Sequence, residues 1–210
     1  MSAAADPVTQ DRVYRALKGE YLSGFHESGA KLDIQSIADR LRSSKTPVRE
    51  AIHRLVGESL FEPDPAGGFR VCVLEPGALI QLYEWNAHLL MSMVHLLKAS
   101  SLVHILDRAA ILNDDVEPMQ IVARTSWLFA AIAEETGNAE AVGMISRLNE
   151  RFVCIRLLEV VDRHEAVREL RVMTNSSVTD VHKSLRRRLE AYHERRIGHQ
   201  RAILDTAISD

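Results

Sequence analysis

The spacing of apolar residues predicts three short helices in the N-terminal part of the chain. The first begins near Asp11 and ends at the turn-forming stretch "SGFHESG", and its apolar side chains recur at roughly helical intervals. The second and third each carry an apolar stripe at positions i, i+3, i+4 and i+7. The stripes are Ile34, Ile37, Ala38 and Leu41 in the second helix, and Val48, Ala51, Ile52 and Leu55 in the third. Because few residues separate these two helices, they must cross sharply and share a small core.

The third helix carries its basic side chains near its beginning. Ser44 or Thr46 can cap this helix, and Pro47 suits its first turn, where a missing N–H leaves no helical hydrogen bond unmade. With the stripe facing inward, the outward positions i, i+4 and i+8 are Lys45, Arg49 and His53. A cation there opposes the helix dipole and costs roughly a few tenths of a kcal/mol. A phosphate reverses that balance, so the arrangement predicts an anionic partner.

The stretch "LFEPDPAGGFRVCVL" after the third helix predicts a β-hairpin. Its second strand alternates Phe69, Val71 and Val73 with Arg70 and Cys72, and Pro and Gly fill the turn. Three helices followed by such a ribbon predict a winged helix-turn-helix domain over residues 8–74, whose third helix enters the major groove of DNA. The alternative is a helical subdomain whose outward cations are merely solvated. The combination of helix spacing, short turn, early cations and hairpin favours DNA binding.

Composition and charge restrict the partners and the compartment. The formal net charge is only -3, so affinity for nucleic acid must come from local clustering of cations. Cys72 and Cys154 form no CxxC pattern, which argues against a disulfide framework or a thiolate metal site and favours a reducing cytoplasm. The longest apolar stretch, "AHLLMSMVHLL", is too short to cross a bilayer, and "MSAAADPVTQD" lacks the order of a signal peptide. We therefore expect a cytoplasmic protein that does not contact a membrane.

The remaining chain predicts an all-α bundle over residues 78–210. Its pattern is helical, with breaks expected at Asn113 to Pro118, at "ETGN" and at "TNSS". We expect five or six helices, joined to the first domain through a linker at 75–77. The fold class is therefore mainly α, with a winged helix-turn-helix domain followed by an all-α helical bundle.

The stretch "VYRALKGEYLSGFHESGAKLDIQSIADRLRSSKTPVREAIHRLVGESLFEPDPAGGFRV" resembles the DNA-binding domain of the GntR family of bacterial transcription regulators, especially its FadR subgroup. The resemblance implies a cytoplasmic homodimer, usually a ligand-relieved repressor, that binds double-stranded DNA at a pseudo-palindromic operator. It assigns DNA contacts to Ser44, Lys45, Thr46 and Arg49, and to Gly68 in the wing. Geometry adds Arg42, His53 and Arg70 as candidates.

The chain departs from the family pattern at a few positions. Lys45 stands where the family usually has arginine, so a bidentate grip on guanine becomes a point-charge contact with less base discrimination. Arg42 and Ser59 each replace a usual glycine, in the turn and after the third helix. These changes keep the motif but obscure the operator sequence.

The second half resembles the FCD effector domain of the FadR subgroup, chiefly through "LFAAIAEETGNAEAV" and "HQRAILDTAISD". Many such domains hold a divalent metal with one Asp and three His. Here Thr125 and Phe129 take the first two positions, and Gln200 takes the third unless the register shifts by one to His199. Because these side chains cannot replace carboxylate and imidazole, we expect neither a metal nor another cofactor.

The effector of this domain is unknown from sequence. Asn86 stands where the resemblance expects an arginine, which favours a neutral or apolar ligand over a dicarboxylate. Apolar residues that either line such a pocket or form ordinary core are Leu89, Leu90, Met91, Met93 and Met144. In the alternative hypothesis the helical domain binds no small molecule and only dimerises or binds a partner.

Two other readings of the sequence carry less weight. The basic run "HKSLRRRLEAYHERR" offers a second nucleic-acid surface, but a solvated helix face with Glu190 and Glu194 as intrahelical partners is favoured. No nucleophile elbow, phosphate loop or paired acid–base motif is present, so an enzyme is not expected.

Overall fold

The computed structural model describes residues 7–110 and 117–209, with side chains described from 9 to 110 and from 117 to 203. The chain divides into two units: one ends at Val73 and also includes Val153–Ile155, and the other consists of Leu74–Phe152 and the residues from Arg156 onward. The first unit contains three helices and an antiparallel hairpin: α1 Pro7–Leu22, α2 Ile34–Arg40, α3 Lys45–Gly57, β1 Phe61–Pro63 and β2 Phe69–Val71. The predicted winged helix-turn-helix arrangement is confirmed. The predicted domain limits of 8–74 and 78–210 stay a prediction.

The predicted apolar stripes fix how α2 and α3 pack. The side chain of Asp33 caps α2 by accepting hydrogen bonds from the amides of Gln35 at 2.9 Å and Ser36 at 3.2 Å. The whole α3 stripe is buried, and α3 packs against α1 and α2. Because the stripe faces inward, the opposite face of α3 remains in solvent.

The hairpin is extended by a third segment that the sequence analysis did not predict. The amide of Leu32 donates to the carbonyl of Phe69 at 2.8 Å, and the amide of Val71 donates to the carbonyl of Ala30 at 2.9 Å. The stretch before α2 therefore lies along β2, and Lys31 opposes Arg70 there. This pairing connects the wing to the start of α2.

Helices α2 and α3 both end with a residue in the left-handed region. Arg42 has φ +47° and Ser59 has φ +59°, and the amide of Leu60 reaches back to the carbonyl of Leu55 at 3.0 Å. The same position after α1 and after the later helix ending at Glu135 holds a glycine, Gly24 and Gly137. A side chain in this conformation costs about 1 kcal/mol relative to glycine. Arg42 and Ser59 are the two positions at which the chain departs from the family's glycines.

In the described part of the second unit there are six helices, all predicted to be helical by sequence: α4 Pro76–Leu96, α5 Ala99–Ala109, α6 Pro118–Glu135, α7 Ala139–Glu159, α8 Arg163–Thr174 and α9 Val181–Ser209. The breaks at "ETGN" and "TNSS" are confirmed, and the one expected from Asn113 to Pro118 falls largely outside the described residues. Sequence analysis missed the breaks at 97–98 and 160–162. Within the predicted linker at 75–77, Glu75 is the N-cap of α4, and Pro76 and Gly77 are its first helical residues.

Aromatic rings from four helices form the centre of the helical unit. Tyr83 of α4 stacks on Phe152 of α7, with ring centroids 4.6 Å apart. Phe129 of α6 lies edge-on to Tyr192 of α9 at 5.6 Å. Of the residues considered as pocket or core, Leu90 and Met93 are buried, whereas Leu89, Met91 and Met144 are half-buried.

The ion pairs of α9 differ from the predicted intrahelical ones. Arg196 Nε lies 2.9 Å from Glu159 Oε2 of α7, and Arg196 Nη2 lies 3.0 Å from Glu169 Oε2 of α8. Burial alone would raise the pKa of Glu169, but Arg196 and Arg195 outweigh it and hold that pKa below its ordinary value. Within the described residues, Glu190 and Glu194 form no ion pair. The prediction that they neutralise the basic run is therefore wrong.

His193 of α9 is buried and contacts the side chain of Asn86 in α4. His193 Nδ1 donates to the carbonyl of Leu189 at 2.6 Å, and Nε2 lies 2.8 Å from the side-chain oxygen Oδ1 of Asn86, whose Nδ2 has no partner. Burial lowers the pKa of His193 to about 4, and the charges of Arg156 and Arg196 act in the same direction. His193 is therefore neutral at pH 7, and its free Nε2 lone pair calls for the amide nitrogen of Asn86 to face it.

Replacing Ser59 by glycine is expected to stabilise the protein by about 1 kcal/mol, because glycine adopts the left-handed conformation without steric cost. Chemical denaturation of the Ser59→Gly variant measures the change. Ser36→Gly is the matched control. It places glycine inside α2, where it is expected to destabilise by about 0.5 kcal/mol. Equal destabilisation by both substitutions would contradict the strain assigned to Ser59.

His193 is expected to make stability depend on pH below neutrality. Its folded-state pKa lies below the unfolded value, so the unfolded chain takes up the proton first as the pH falls. Stability is therefore full above about pH 6.5 and is lost toward pH 4, by about 2 kcal/mol between pH 7 and pH 5. Denaturation of His193→Gln at both pH values should show a smaller difference than wild type. The exposed His199→Gln control should show the wild-type difference, and an unchanged His193→Gln profile would refute the assignment.

Candidate nucleic-acid interface

The N-terminal end of α3 presents polar groups to solvent. Ser44 is the N-cap residue, with φ −87° and ψ 166°, but its side chain makes no capping hydrogen bond, and Thr46 does not cap α3 either. The amides of the first helical turn have no partner inside the helix, and Pro47 contributes none. Ser44, Lys45, Thr46 and Arg49 are all exposed there. This helix end therefore offers backbone donors, hydroxyls and cations to the same anion.

The cations near this helix end are not neutralised by the protein. Among the described residues, Arg42, Lys45 and Arg49 have no carboxylate oxygen within 4.0 Å. The other cations of the domain that do have one are Arg15, Lys18, Lys31, Arg40, Arg54 and Arg70. If the cations were merely solvated, those with and without a carboxylate partner would be scattered over the whole surface of the domain. The unpaired charge is concentrated at the α2–α3 turn and the first turns of α3.

Arg42 lies in the turn itself, with its backbone in the left-handed region. A glycine there would remove about 1 kcal/mol of strain, so the arginine is retained at a cost to stability. Arg12 of α1 holds the turn, since its guanidinium donates to the carbonyls of Leu41 at 2.9 Å and Arg42 at 3.4 Å. Sequence analysis missed Arg12, because nothing in the α1 pattern distinguishes it from other exposed cations.

His53 lies farther along α3 and contacts the wing. Its ring meets that of Phe69 edge-on, with centroids 5.0 Å apart. The side chain is exposed, as predicted, but it is partly engaged in positioning β2 beside α3. His53 therefore connects α3 to the hairpin.

The wing turn is tight and glycine-dependent. The amide of Gly67 donates to the carbonyl of Asp64 at 2.8 Å, and Gly67 and Gly68 have φ +93° and +89°. Both glycines are exposed, so the backbone at Gly68 is accessible to a phosphate or sugar. Asp64 also accepts from the amide of Ala66 at 2.8 Å, which fixes the turn.

Arg70 differs from the other candidates because it is paired. Its Nε lies 2.6 Å from Glu62 Oε1 across the hairpin, and both side chains are about two-thirds buried. A phosphate contact by Arg70 has to compete with that carboxylate. We rank it below the residues at the start of α3.

Two shallow grooves flank the start of α3. One, of about 530 Å³, is lined by residues that include Lys31, Asp33, Lys45 and Arg49. The other is lined by residues that include Asp39, Arg42, Ser44 and Pro47. Lys31, which the sequence analysis did not single out, joins Lys45 and Arg49 in one groove. Sequence analysis missed Lys31 because this residue precedes α2 in a stretch whose pattern resembles a simple loop.

The helical unit does not fit the metal site of the resembling domains. Thr125 is buried and donates its hydroxyl proton to the carbonyl of Ile121 at 3.0 Å. Phe129 is fully buried and apolar. The register places Gln200 inward and His199 outward, so the shift that would restore a histidine is not adopted. In the ranges that the structure covers, no three His, Cys, Asp or Glu side chains form a group able to hold a metal ion.

Residues 9–71 match the model of the family described as bacterial regulatory proteins, gntR family. The Nta operon transcriptional regulator of Aminobacter aminovorans is 38% identical over 68 residues, which is 32% of this chain and 32% of that protein. The match thus spans about a third of the curated relative's length. These similarities are to regulators and not to enzymes, in agreement with the prediction.

Solved structures resemble the whole chain more broadly. A GntR transcriptional regulator from Rhodococcus sp. RHA1 has a TM-score of 0.76 at 16% identity, covering 93% of this chain and 98% of that one. Escherichia coli McbR/YncC has a TM-score of 0.67 at 22% identity, with coverage of 93% and 98%. At such low identities the likeness concerns the fold, and it confirms a winged N-terminal domain followed by an all-α domain. No helix in the described ranges is long and apolar enough to span a membrane.

Proposed function

We propose that this chain, whose residues 9–71 match the gntR family of bacterial regulatory proteins, is a transcription regulator that binds operator DNA through the start of α3. One observation carries the proposal. In the described N-terminal domain four cations have no carboxylate partner: Arg12 holds the α2–α3 turn, and Arg42, Lys45 and Arg49 cluster at that turn and the beginning of α3. Phosphates of a duplex supply the missing negative charge, and the exposed hydroxyls of Ser44 and Thr46 add hydrogen bonds.

We assign the contacts different roles. Lys45 and Arg49 reach the major groove and its adjacent phosphates, and Arg49 alone has the planar fork that holds a guanine edge in two hydrogen bonds. Arg42 contacts the backbone beside the groove. Gly68 allows the wing to approach a phosphate closely, because no side chain intervenes there.

The regulator acts as a homodimer on a pseudo-palindromic operator, since two copies related by a two-fold axis require two half-sites in opposite orientation. The helical domain is the dimerising and effector-binding part. A ligand changes operator affinity only if it binds the DNA-competent and DNA-incompetent states unequally. Repression relieved by a ligand is the direction we adopt.

The rival function keeps DNA binding but makes the helical domain a dimerisation or partner module without a ligand. The substitutions at Thr125, Phe129 and Asn86 are compatible with that rival. A buried arginine in the same domain favours a ligand.

Replacing Lys45 and Arg49 together by alanine is expected to lower affinity at least ~10-fold and to reduce the slope of log K against log salt by about 2, since each lost phosphate contact removes about 0.9. Fluorescence anisotropy at several salt concentrations measures both quantities. The duplex is one enriched by the wild-type protein from random sequence.

The matched control is Arg15→Ala with Arg54→Ala, which removes the same charge from the same domain at sites paired with Asp11. Its salt slope should stay near that of the wild type. If the salt slope falls equally in both double variants, DNA binding depends only on the net charge of the domain, and the proposed contacts are wrong. If no duplex is enriched by the wild type, DNA binding itself fails.

A further inference from the structure

Arg156 of α7 is a buried cation whose charge the described protein does not balance. Its side chain belongs to a residue that is only 3% exposed. Nη1 donates to Ser126 Oγ at 2.8 Å and to Asn149 Oδ1 at 3.0 Å, and both acceptors are neutral. Nε and Nη2 are buried without any hydrogen-bond partner. Among the described residues, no carboxylate oxygen lies within 4.0 Å of this guanidinium.

Arg196 of α9 provides the contrast within the same domain. It is also largely buried, but Glu159 and Glu169 both hold its guanidinium. Removing a charge from water is tolerated when a partner of opposite charge and good geometry replaces the water. Arg196 meets that condition with groups of the protein. Arg156 meets it only if an anion comes from elsewhere.

The unpartnered edge of Arg156 has the shape of a carboxylate receptor. Nε and Nη2 lie side by side on one edge of the guanidinium plane, so their protons point in nearly parallel directions. Elsewhere in this protein the same edge of Arg40 holds both oxygens of Glu20, at 2.8 Å and 2.8 Å. The Arg40–Glu20 pair therefore shows what this edge binds in the same chain.

The surroundings of Arg156 are mainly aromatic. Its guanidinium carbon lies 5.0 Å from the ring centroid of Phe129 and 4.9 Å from that of Phe152. Phe129 in turn meets Tyr192, whose buried hydroxyl has no hydrogen-bond partner. The guanidinium is thus flanked by two apolar aromatic rings.

We propose that Arg156 binds the carboxylate of a small organic monoanion with an apolar body, in a site of the helical domain that uses no metal ion. A single carboxylate is specified because Arg156 has one free edge and Arg196 is already occupied by two glutamates. The apolar body follows from Phe129 and Phe152. Sequence analysis favoured a neutral ligand because it found no arginine at position 86. The arginine comes instead from α7.

The site deepens the proposed function, since its occupancy matters to DNA only if the helical domain regulates the winged domain. The binding claim itself is tested without DNA. A failure of operator binding therefore leaves it unaffected, and a failure of carboxylate binding leaves the contacts of α3 unaffected.

The test measures the melting temperature of the full chain with sodium formate, acetate, benzoate or phenylacetate, against sodium chloride at matched ionic strength. Formate and acetate fit any carboxylate receptor, and the aromatic acids probe the apolar walls. Benzamide, which carries no charge, tests whether a carboxylate is needed. Phthalate, which carries two carboxylates, tests whether the site accepts only one. We expect the aromatic monocarboxylates to raise the melting temperature by about 5 °C or more at roughly 100 times their Kd, with a smaller shift for formate.

Two variants distinguish an anion receptor from a structural arginine. Arg156→Met removes the unbalanced charge at similar volume, so it should melt no lower than the wild type and should lose the carboxylate response. Arg156→Lys keeps the charge but loses the fork, so its response should weaken about 10-fold. If Arg156→Met does not fold, the Arg156→Lys variant still tests whether the carboxylate response depends on the guanidinium.

The following results would overturn the proposal. One is a carboxylate response equal in the wild type and in the folded variants. Another is no response of the wild type to any of the carboxylates. A third is an equal response to benzamide, which would mean that the walls bind a ring and Arg156 plays no part. Addition of the best carboxylate to the protein–duplex complex then tests regulation, and an unchanged duplex affinity would separate the site from the proposed function.

Discussion

Burial of the apolar stripe of α3 is the constraint on which the proposed DNA contact depends. Val48, Ile52 and Leu55 are fully buried, and each contributes about 1.5 to 3 kcal/mol by leaving water. The charges at the start of the helix oppose its dipole by only roughly a few tenths of a kcal/mol each. Packing therefore decides which face of α3 points outward. As a consequence, Lys45 and Arg49 lie on the exposed face of α3, where a DNA duplex can contact them.

The cations of the described residues fall into two groups, those with a carboxylate partner and those without one. Most of those in the N-terminal domain have a carboxylate nearby, and the buried Arg196 has two. The exceptions discussed are the α2–α3 turn with the start of α3, and Arg156 in the helical domain. The first group is exposed and suits a polyanion, whereas Arg156 is enclosed and suits one small anion. In the N-terminal domain, charge pairing thus distinguishes most other cations from the group at the start of α3, and in the helical domain it distinguishes the buried Arg196 from the buried Arg156.

Local patterns made much of the N-terminal domain predictable. The stripes of α2 and α3, the Asp33 cap and the Pro- and Gly-rich turn each lie within a few residues of sequence, where helix and hairpin rules apply. The left-handed positions of Arg42 and Ser59 were visible only against the family's glycines. The breaks at 97–98 and 160–162 carry no glycine or proline, and the local signal that was present, Asp162 as the N-cap of α8, was overlooked.

Long-range contacts account for most of what sequence analysis missed. Arg196 finds its partners on α7 and α8, and the pairing of Arg70 with Glu62 depends on the hairpin register. Arg156 lies on the buried face of α7, four residues after Phe152 and seven after Asn149. A cation at such a core position was the available signal. Whether it is paired depends on residues thirty or more positions away, such as Ser126.

The most direct measurement is hydrogen exchange at the start of α3, followed by mass spectrometry with and without duplex DNA. The amides of Lys45 and Thr46 have no partner inside the helix, so they exchange quickly in the free protein. Our account predicts that bound DNA slows exchange in peptides spanning residues 42–50 and leaves peptides from α6 unchanged. Exchange in residues 42–50 that stays as fast with DNA bound as without it would contradict the central claim.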